Sequence, residues 1–305
     1  MAATPHDRPD HDGRGEPDDP TFLNGTEQRR VLDGLAALVE GHYVFPDAGR
    51  AHATHLRAFP ATDRVVAADR FARRLTRHLR ERDRHFTVTW GEPERLELVA
   101  SRPDVGPAMA VERHGEVGVL RVTRFDDLDD PASAALARRS LAGLAGARGV
   151  LVDVRDNDGG WPSMVEYLLA PFTGPTPVHV VTFRSTGHPD LVAWTRPDPD
   201  APRLDDVPVV VLVNRGTASA AESLAYTLRT LSRATVVGGT TVGAANPVEL
   251  FADRSGFHVY VPTGAPIDPR TGTNWDQVGI VPDVACDDAD ALDVALRALA
   301  STEAT

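Results

Sequence analysis

Between Glu27 and Arg82 the apolar residues recur at helical spacing. Val31, Leu32, Leu35, Leu38 and Val39 fall on one face, behind a candidate N-cap at Thr26. Pro46 and Asp47 open a second helix, and a third carries Val65, Phe71, Leu75 and Leu79 before the charged stretch Arg80–Arg84. The pattern predicts a small helical bundle over residues 26–84. Strands follow at His85–Trp90, Leu96–Ala100 and Val117–Val122.

From about residue 117 the period switches repeatedly between that of a strand and that of a helix. VGVLRV reads as a strand, Pro131–Leu144 as a helix and GVLVDVR as a buried strand. Trp161–Ala170 is a helix, VPVVVLVN a buried strand, Ser219–Leu231 a helix and ATVVGG a strand. This alternation predicts an α/β layered core over residues 85–305, with much parallel pairing. The hairpin-like FHVYVP and a last helix, Ala289–Leu299, close it. Pro189, Pro197, Pro199 and Pro202 punctuate His188–Asp206, which reads as a surface loop. Residues 1–25 are polar, acidic and proline-bearing, and read as a disordered tail.

Composition narrows the chemistry. All 32 basic residues of the 305 are arginine, so a Ser–Lys dyad, a Schiff-base lysine and a P-loop lysine are impossible. The single cysteine, Cys286, excludes an internal disulfide and a multi-cysteine zinc site. A net charge of −12 argues against nucleic acid or an anionic membrane as partner. The apolar runs are too short to span a bilayer, and the first residues lack a signal-peptide apolar region. With the first Met taken as the true start, a cytoplasmic protein is expected.

Two turns and one histidine stand out. In VPVVVLVNRGTASAAESLAYTLR a buried strand turns into a helix near Ser219. There the free N–H groups favour a developing oxyanion, with the Ala220 N–H as a donor. A plain capping serine fits the same residues, and Ser223 is a weaker nucleophile candidate. In DVRDNDGGW, Gly159 and Gly160 would let backbone N–H groups approach a reacting carbonyl at a strand's carboxyl end. An ordinary βα turn uses the same residues. Of eleven histidines, His85 sits at a helix-to-strand junction, with His188 and His258 as competitors. His52, His55 and His78 read as exposed helix positions. There is no GxSxG, HExxH or GxGxxG signature, Thr217 standing two residues before Ser219.

The ordered runs DVRDNDGG, NRGTASAAESLAY, ATVVGGTTVGAANP and PRTGTNWDQVGIVPD resemble the tail-specific (C-terminal processing) peptidase superfamily. The likeness covers roughly residues 28–300, including HYVFPD and RDRHFTV, and is nearest to the interphotoreceptor-retinoid-binding-protein-like and tricorn-core-like branch. It implies a ClpP/crotonase-like α/β core. In the processing peptidases proper a lysine serves as base; here the matching turn, VGAANP, has alanines. Those enzymes commonly carry a PDZ domain, for which the stretch between Trp90 and Val111 is too short.

In the tricorn-like branch the base is a histidine oriented through a network with a downstream glutamate. The resemblance therefore implies Ser219 as nucleophile, His85 as base and Asp276, in TNWDQVG, as the residue holding the histidine tautomer. Asp stands there for the family's usual Glu, Arg84 for its polar residue before the histidine, and the role of Asp83 is left open. Ala220 with Gly159 or Gly160 would form the oxyanion hole. Trp161, Trp194 and the loop 185–206 are candidates for substrate binding, with packing as their alternative role. The implied activity is that of a serine peptidase working through an acyl-enzyme, without metal or organic cofactor. A small-molecule acyl hydrolase or cyclase using the same residues, and a non-catalytic carrier of apolar ligands, are the alternatives. The substrate would be a peptide or small acyl compound, and assembly into an oligomer is left open.

Overall fold

A computed structural model of the protein describes residues 21–92 and 106–302. The expected strand Leu96–Ala100 lies outside the described residues. A short strand β1 (Phe22–Leu23) leads into α1 (Gly25–His42), followed by α2 (Pro46–Arg57), a short β2 (Val66–Ala67) and α3 (Ala68–Arg80). The cap of α1 is Asn24 rather than Thr26. Its Oδ1 accepts the N–H groups of Thr26 (2.9 Å) and Glu27 (3.1 Å), while Glu27 Oε2 accepts the Asn24 N–H at 2.7 Å. This reciprocal box places Thr26 inside the first turn.

The apolar faces of the three helices meet in one core. Val31, Leu32 and Leu35 of α1 pack with Leu56 of α2 and with Phe71, Leu75 and Leu79 of α3. Phe86 and Val88 close that core from β3 (Thr87–Trp90) and its approach, together with Phe257, Val259 and Val261 from far along the chain. The helical unit and the later strands thus bury one another. Histidines expected on its outside are partly inside: His52 is buried, and His55 and His78 are half-buried.

The second layer is built on β4 (Met109–His114), β5 (Val117–Val122), α4 (Pro131–Ala142), β6 (Gly149–Asp153) and α5 (Pro162–Thr173). It continues with β7 (His179–Ser185), β8 (His188–Trp194), β9 (Val209–Val213), α6 (Ala220–Thr230) and β10 (Ala234–Gly238). The chain ends with β11 (Val248–Ala252), β12 (Phe257–Pro262), β13 (Gly264–Ile267), β14 (Val284–Ala285) and α7 (Ala291–Thr302). The main sheet has the order β14-β10-β9-β6-β5-β4, parallel except for the β4–β5 pair. Alternate residues of its central strands face opposite sides. Val150, Val152, Val211 and Val213 join the core under α5 and α6, and Leu151, Val210 and Leu212 join Ala295 and Leu299 of α7. Burial on both faces explains the unbroken apolar runs in the sequence.

The expected loop 188–206 is in part a strand. Residues 188–194 form β8, paired antiparallel with β7, which itself pairs with β13. Its apolar residues Leu191, Val192 and Trp194 are exposed at a sheet edge, so the chain shows no inside–outside alternation there. The turns that carry the candidate chemistry follow the carboxyl ends of β6 and β9. These strands are parallel neighbours, so the two turns lie side by side.

Candidate active site

The turn after β9 is fixed by buried polar groups. Thr217 Oγ1 accepts the Asn214 N–H at 3.0 Å and donates to the Val154 carbonyl at 2.9 Å. Asn214 Oδ1 accepts the N–H groups of Asp156 (3.0 Å) and Gly216 (2.9 Å), tying this turn to the one after β6. Ser219 then occupies the N-cap of α6 with φ 53° and ψ −120°. The other capped helices begin differently: Asn24 (φ −78°, ψ 175°) and Asp130 (φ −75°, ψ 121°) have the extended backbone of ordinary caps. A residue with a Cβ held where Ser219 is costs about 1–3 kcal/mol. The surroundings must therefore impose it, and the Ser219 side chain is left exposed.

Gly159 is part of what imposes it. A Cβ at Gly159 would stand 2.7 Å from the Ser219 Cβ and 3.0 Å from the Ala220 nitrogen, so glycine alone fits. Gly160 answers to another neighbour, since its Cβ would fall 2.1 Å from the Phe125 carbonyl oxygen. That strand-like contact is closed by Phe125 N–H to Gly159 O (3.0 Å) and Trp161 N–H to Phe125 O (2.8 Å). The Gly159 N–H is occupied, donating to Asn157 Oδ1 at 2.8 Å, which removes it from the candidate oxyanion donors. The N–H groups of Ala220 and Gly160 have no protein acceptor among the described residues.

Around His85 the structure departs from the expected wiring. The Nδ1 of His85 lies 2.8 Å from Asp83 Oδ1, and the same oxygen accepts the His85 backbone N–H at 2.9 Å. Tyr43 donates its hydroxyl to Asp83 Oδ2 at 2.8 Å. Asp276, assigned from the sequence to hold the tautomer, instead lies on the far side of the ring, with its Oδ1 3.3 Å from Nε2. Asp83, only 1% exposed, is the residue on Nδ1. The local signal for it was an acid two residues before the histidine, close enough for one carboxylate to reach both backbone and ring.

The electrostatics follow from this sandwich. Burial pushes the Asp83 carboxyl up, but the hydrogen bonds from His85 and Tyr43 outweigh it and hold the group below the ordinary carboxylate range. Burial pulls His85 down, yet the bond to Asp83 and the charges of Asp276 and Asp83 win and raise it above 6.5. Asp276 is raised by burial, against the opposing charge of His85 and the N–H groups of Asn246 and Ala245. Burial and the adjacent Asp83 also push the Tyr43 hydroxyl up, so it stays a donor.

One loop joins the serine and histidine halves. Glu222, fully buried in the first turn of α6, accepts the Ser219 N–H (2.9 Å), Thr241 Oγ1 (2.5 Å) and the N–H groups of Gly243 (2.7 Å) and Ala244 (2.9 Å). The next two N–H groups, Ala245 and Asn246, both donate to Asp276 at 3.2 Å. Four consecutive amides thus hold two carboxylates, one from each half. Ala244 and Ala245 of this loop act through their backbone N–H groups. Arg84 fastens the other side, its N–H and guanidinium bonding to Gln277, the residue after Asp276.

The remaining sequence candidates separate. Trp161 caps α5 directly after Gly160 and is 56% exposed. Trp194 lies at the end of β8, against His179 (ring centroids 5.1 Å apart), in the separate β13-β7-β8 sheet. His188 is exposed on that same strand, and His258 lies on β12 opposite Thr89.

A model of the family described as peptidase family S41 matches residues 116–286. The chloroplastic carboxyl-terminal-processing peptidase 2 of Arabidopsis thaliana is 34% identical over 173 residues, 55% of this chain and 31% of that protein. The carboxyl-terminal-processing protease of a Synechocystis species is 33% identical over 199 residues, 65% of this chain and 43% of that one. The shared region thus spans less than half the length of these relatives. A solved structure from Parabacteroides merdae, described as a peptidase, superposes with a TM-score of 0.66 at 17% identity, covering 91% of this chain and 97% of the other. A lipoprotein from Streptococcus agalactiae superposes with a TM-score of 0.55 at 16% identity, covering 92% and 97%. At these identities the likeness is one of fold.

Proposed function

The chain belongs to peptidase family S41, and from that premise we propose that it is a serine peptidase with Ser219 as nucleophile and His85 as general base. The observation that carries this reading is the backbone of Ser219, held at φ 53° above Gly159 where the chain's ordinary caps are extended. Asp83 fixes the His85 proton on Nδ1, so the Nε2 lone pair is the basic one. His85 takes the Ser219 proton as the hydroxyl attacks a peptide carbonyl. The N–H groups of Ala220 and Gly160 receive the oxyanion. The imidazolium then protonates the leaving amine, and water, deprotonated by His85, releases the acyl group from Ser219.

Asp276 stabilises the imidazolium from the Nε2 side and is a positioning residue, anchored by the Ala245 and Asn246 N–H groups. The substrate is a peptide, and the exposed indole of Trp161 beside Gly160 is placed to contact its side chains. Trp194 belongs to another surface of the molecule and is left out of this reading. The test is labelling with a fluorophosphonate and hydrolysis of a peptide library. Label on Ser219 in the wild type, and a loss of turnover of about four to six orders of magnitude in Ser219→Ala, are expected. A folded wild-type protein that neither takes the label nor cuts any peptide overturns the proposal. Ester or thioester turnover without peptide cleavage would move it to acyl-transfer chemistry on small molecules.

A further inference from the structure

The arginines are not spread evenly over the molecule. Residues 26–84 hold twelve arginines against eight acidic residues, whereas the whole chain has 32 against 44. The local excess gathers on α3, which buries Phe71, Leu75 and Leu79. On its opposite side Arg70, Arg73, Arg77 and Arg80 follow one another at steps of three, four and three residues, and all four are exposed. At about 100° per residue these steps keep them within an arc of about 80°, and the stripe runs about 15 Å along the helix axis.

Little opposite charge meets this stripe. Arg73 pairs with Asp69 at 2.8 Å, both side chains being more than half exposed. Arg80 spends its guanidinium on neutral acceptors, the Phe86 carbonyl at 2.9 Å and Thr87 Oγ1 at 2.8 Å. The side chains of Arg70 and Arg77 have no hydrogen bond or ion pair among the described residues. Like charges three and four residues apart on a helix repel one another, a cost that an anionic partner removes. The stripe also leads to the candidate active site. Arg80 holds the two residues that follow His85, and Arg84 bonds to Gln277 beside Asp276.

We propose that this face of α3 is a docking surface for an acidic stretch of the polypeptide substrate, held there beside Ser219 and His85. An extended chain presents every second side chain to one side, about 6.6 Å apart. The arginines stand about 4.5–6 Å apart along α3, so about five residues of an acidic segment span the stripe. Isolated surface ion pairs are weak, and recognition comes from several engaged at once. The remainder of the chain carries the acidic excess and repels the same segment, which leaves the α3 face as the place where it settles. The substrate role rests on the peptidase reading; the docking itself does not.

Fluorescence anisotropy with the full chain carrying Ser219→Ala reads docking without turnover. The probe is a labelled peptide of alternating Glu and Ser. It should bind at least about tenfold more tightly than its Gln-for-Glu analogue, and weaken about tenfold as salt rises through the range that screens surface charge. Arg70→Gln, Arg73→Gln and Arg77→Gln together keep good helix formers at exposed positions and should abolish that preference. Arg121→Gln, Arg139→Gln and Arg148→Gln together change the net charge equally at exposed positions elsewhere and should leave it intact. In the wild type, adding the acidic stretch to a cleaved peptide should lower KM about fivefold with kcat unchanged, and the α3 triple variant should lose that gain. Acidic-peptide binding with no cleavage of any peptide would overturn the peptidase reading and leave the docking face standing. Equal binding of the Glu and Gln peptides, or equal loss in both triple variants, overturns the proposal. So does binding that appears only once residues 1–20 are removed, which would assign the face to this chain's own acidic segment, or tighter binding of a single-stranded oligonucleotide.

Discussion

The serine and histidine halves of the candidate site are held by different kinds of force. Ser219 is set by sterics and backbone: a strained dihedral, a glycine pressed against its Cβ, and a turn pinned by Asn214 and Thr217. Its surroundings come from two turns that follow adjacent parallel strands, so the fold of the sheet already places them. His85 is set by charge. Two carboxylates flank its ring, one buried and donated to by Tyr43, the other held by two loop amides. Crowding enforces position on one side, and buried hydrogen-bonded charge enforces protonation state on the other.

That contrast predicts different failures. Asp83→Asn should be the most damaging change on the histidine side, because an amide no longer dictates which ring nitrogen carries the proton. We expect kcat to fall by about 10⁴-fold with KM nearly unchanged, measured by steady-state kinetics on whichever peptide the library identifies. Near-full activity would return the orienting role to Asp276. Gly159→Ala attacks the steric side. The added methyl cannot coexist with the Ser219 Cβ, so a shift of the nucleophile and a kcat loss of about 10²-fold are expected. The melting temperature should fall with it, since a non-glycine residue at φ 111° is itself strained. An unchanged melting temperature together with full activity would remove sterics as the device that sets Ser219.

The smallest effect separates charge from structure. Catalysis needs neutral His85, whose pKa is raised, so the acid limb of kcat/KM should lie alkaline of 6.5. Asp276→Asn removes a charge that stabilises the imidazolium. The pKa then falls and the limb moves to lower pH, with a modest loss at the plateau. A limb that stays in place, or moves the other way, would show that Asp276 does not act on the ring electrostatically.

The two halves also differed in how far they could be read from the chain. The serine half comes from two local runs: NRGTAS and DNDGG each follow an apolar run whose burial on both faces announces a parallel strand, so Ser219, Ala220 and Gly160 are visible as a set. Even there, the Gly159 N–H is equivalent to its neighbour's in the sequence, and only in the folded chain does it donate to Asn157. The histidine half draws on Tyr43, Asp83, Asp276 and the amides of 245–246, four stretches that no local period connects. Asp83 lay two residues from His85, yet charged residues surround it and burial alone distinguishes it from them. The same holds for His55 and His78, which helical spacing placed outside and packing placed face to face.

The sequence by itself determined the layering of helix and strand, the strand-end turns that bear the serine, and the absence of a lysine base. Each depends on short-range regularities: side-chain period, turn residues, residue type. Tertiary structure alone decided which carboxylate meets which imidazole nitrogen, which glycine keeps a free N–H, and which histidines leave the surface. Those are contacts between segments far apart in the chain, and they take their strength from burial that exists only once the segments have packed.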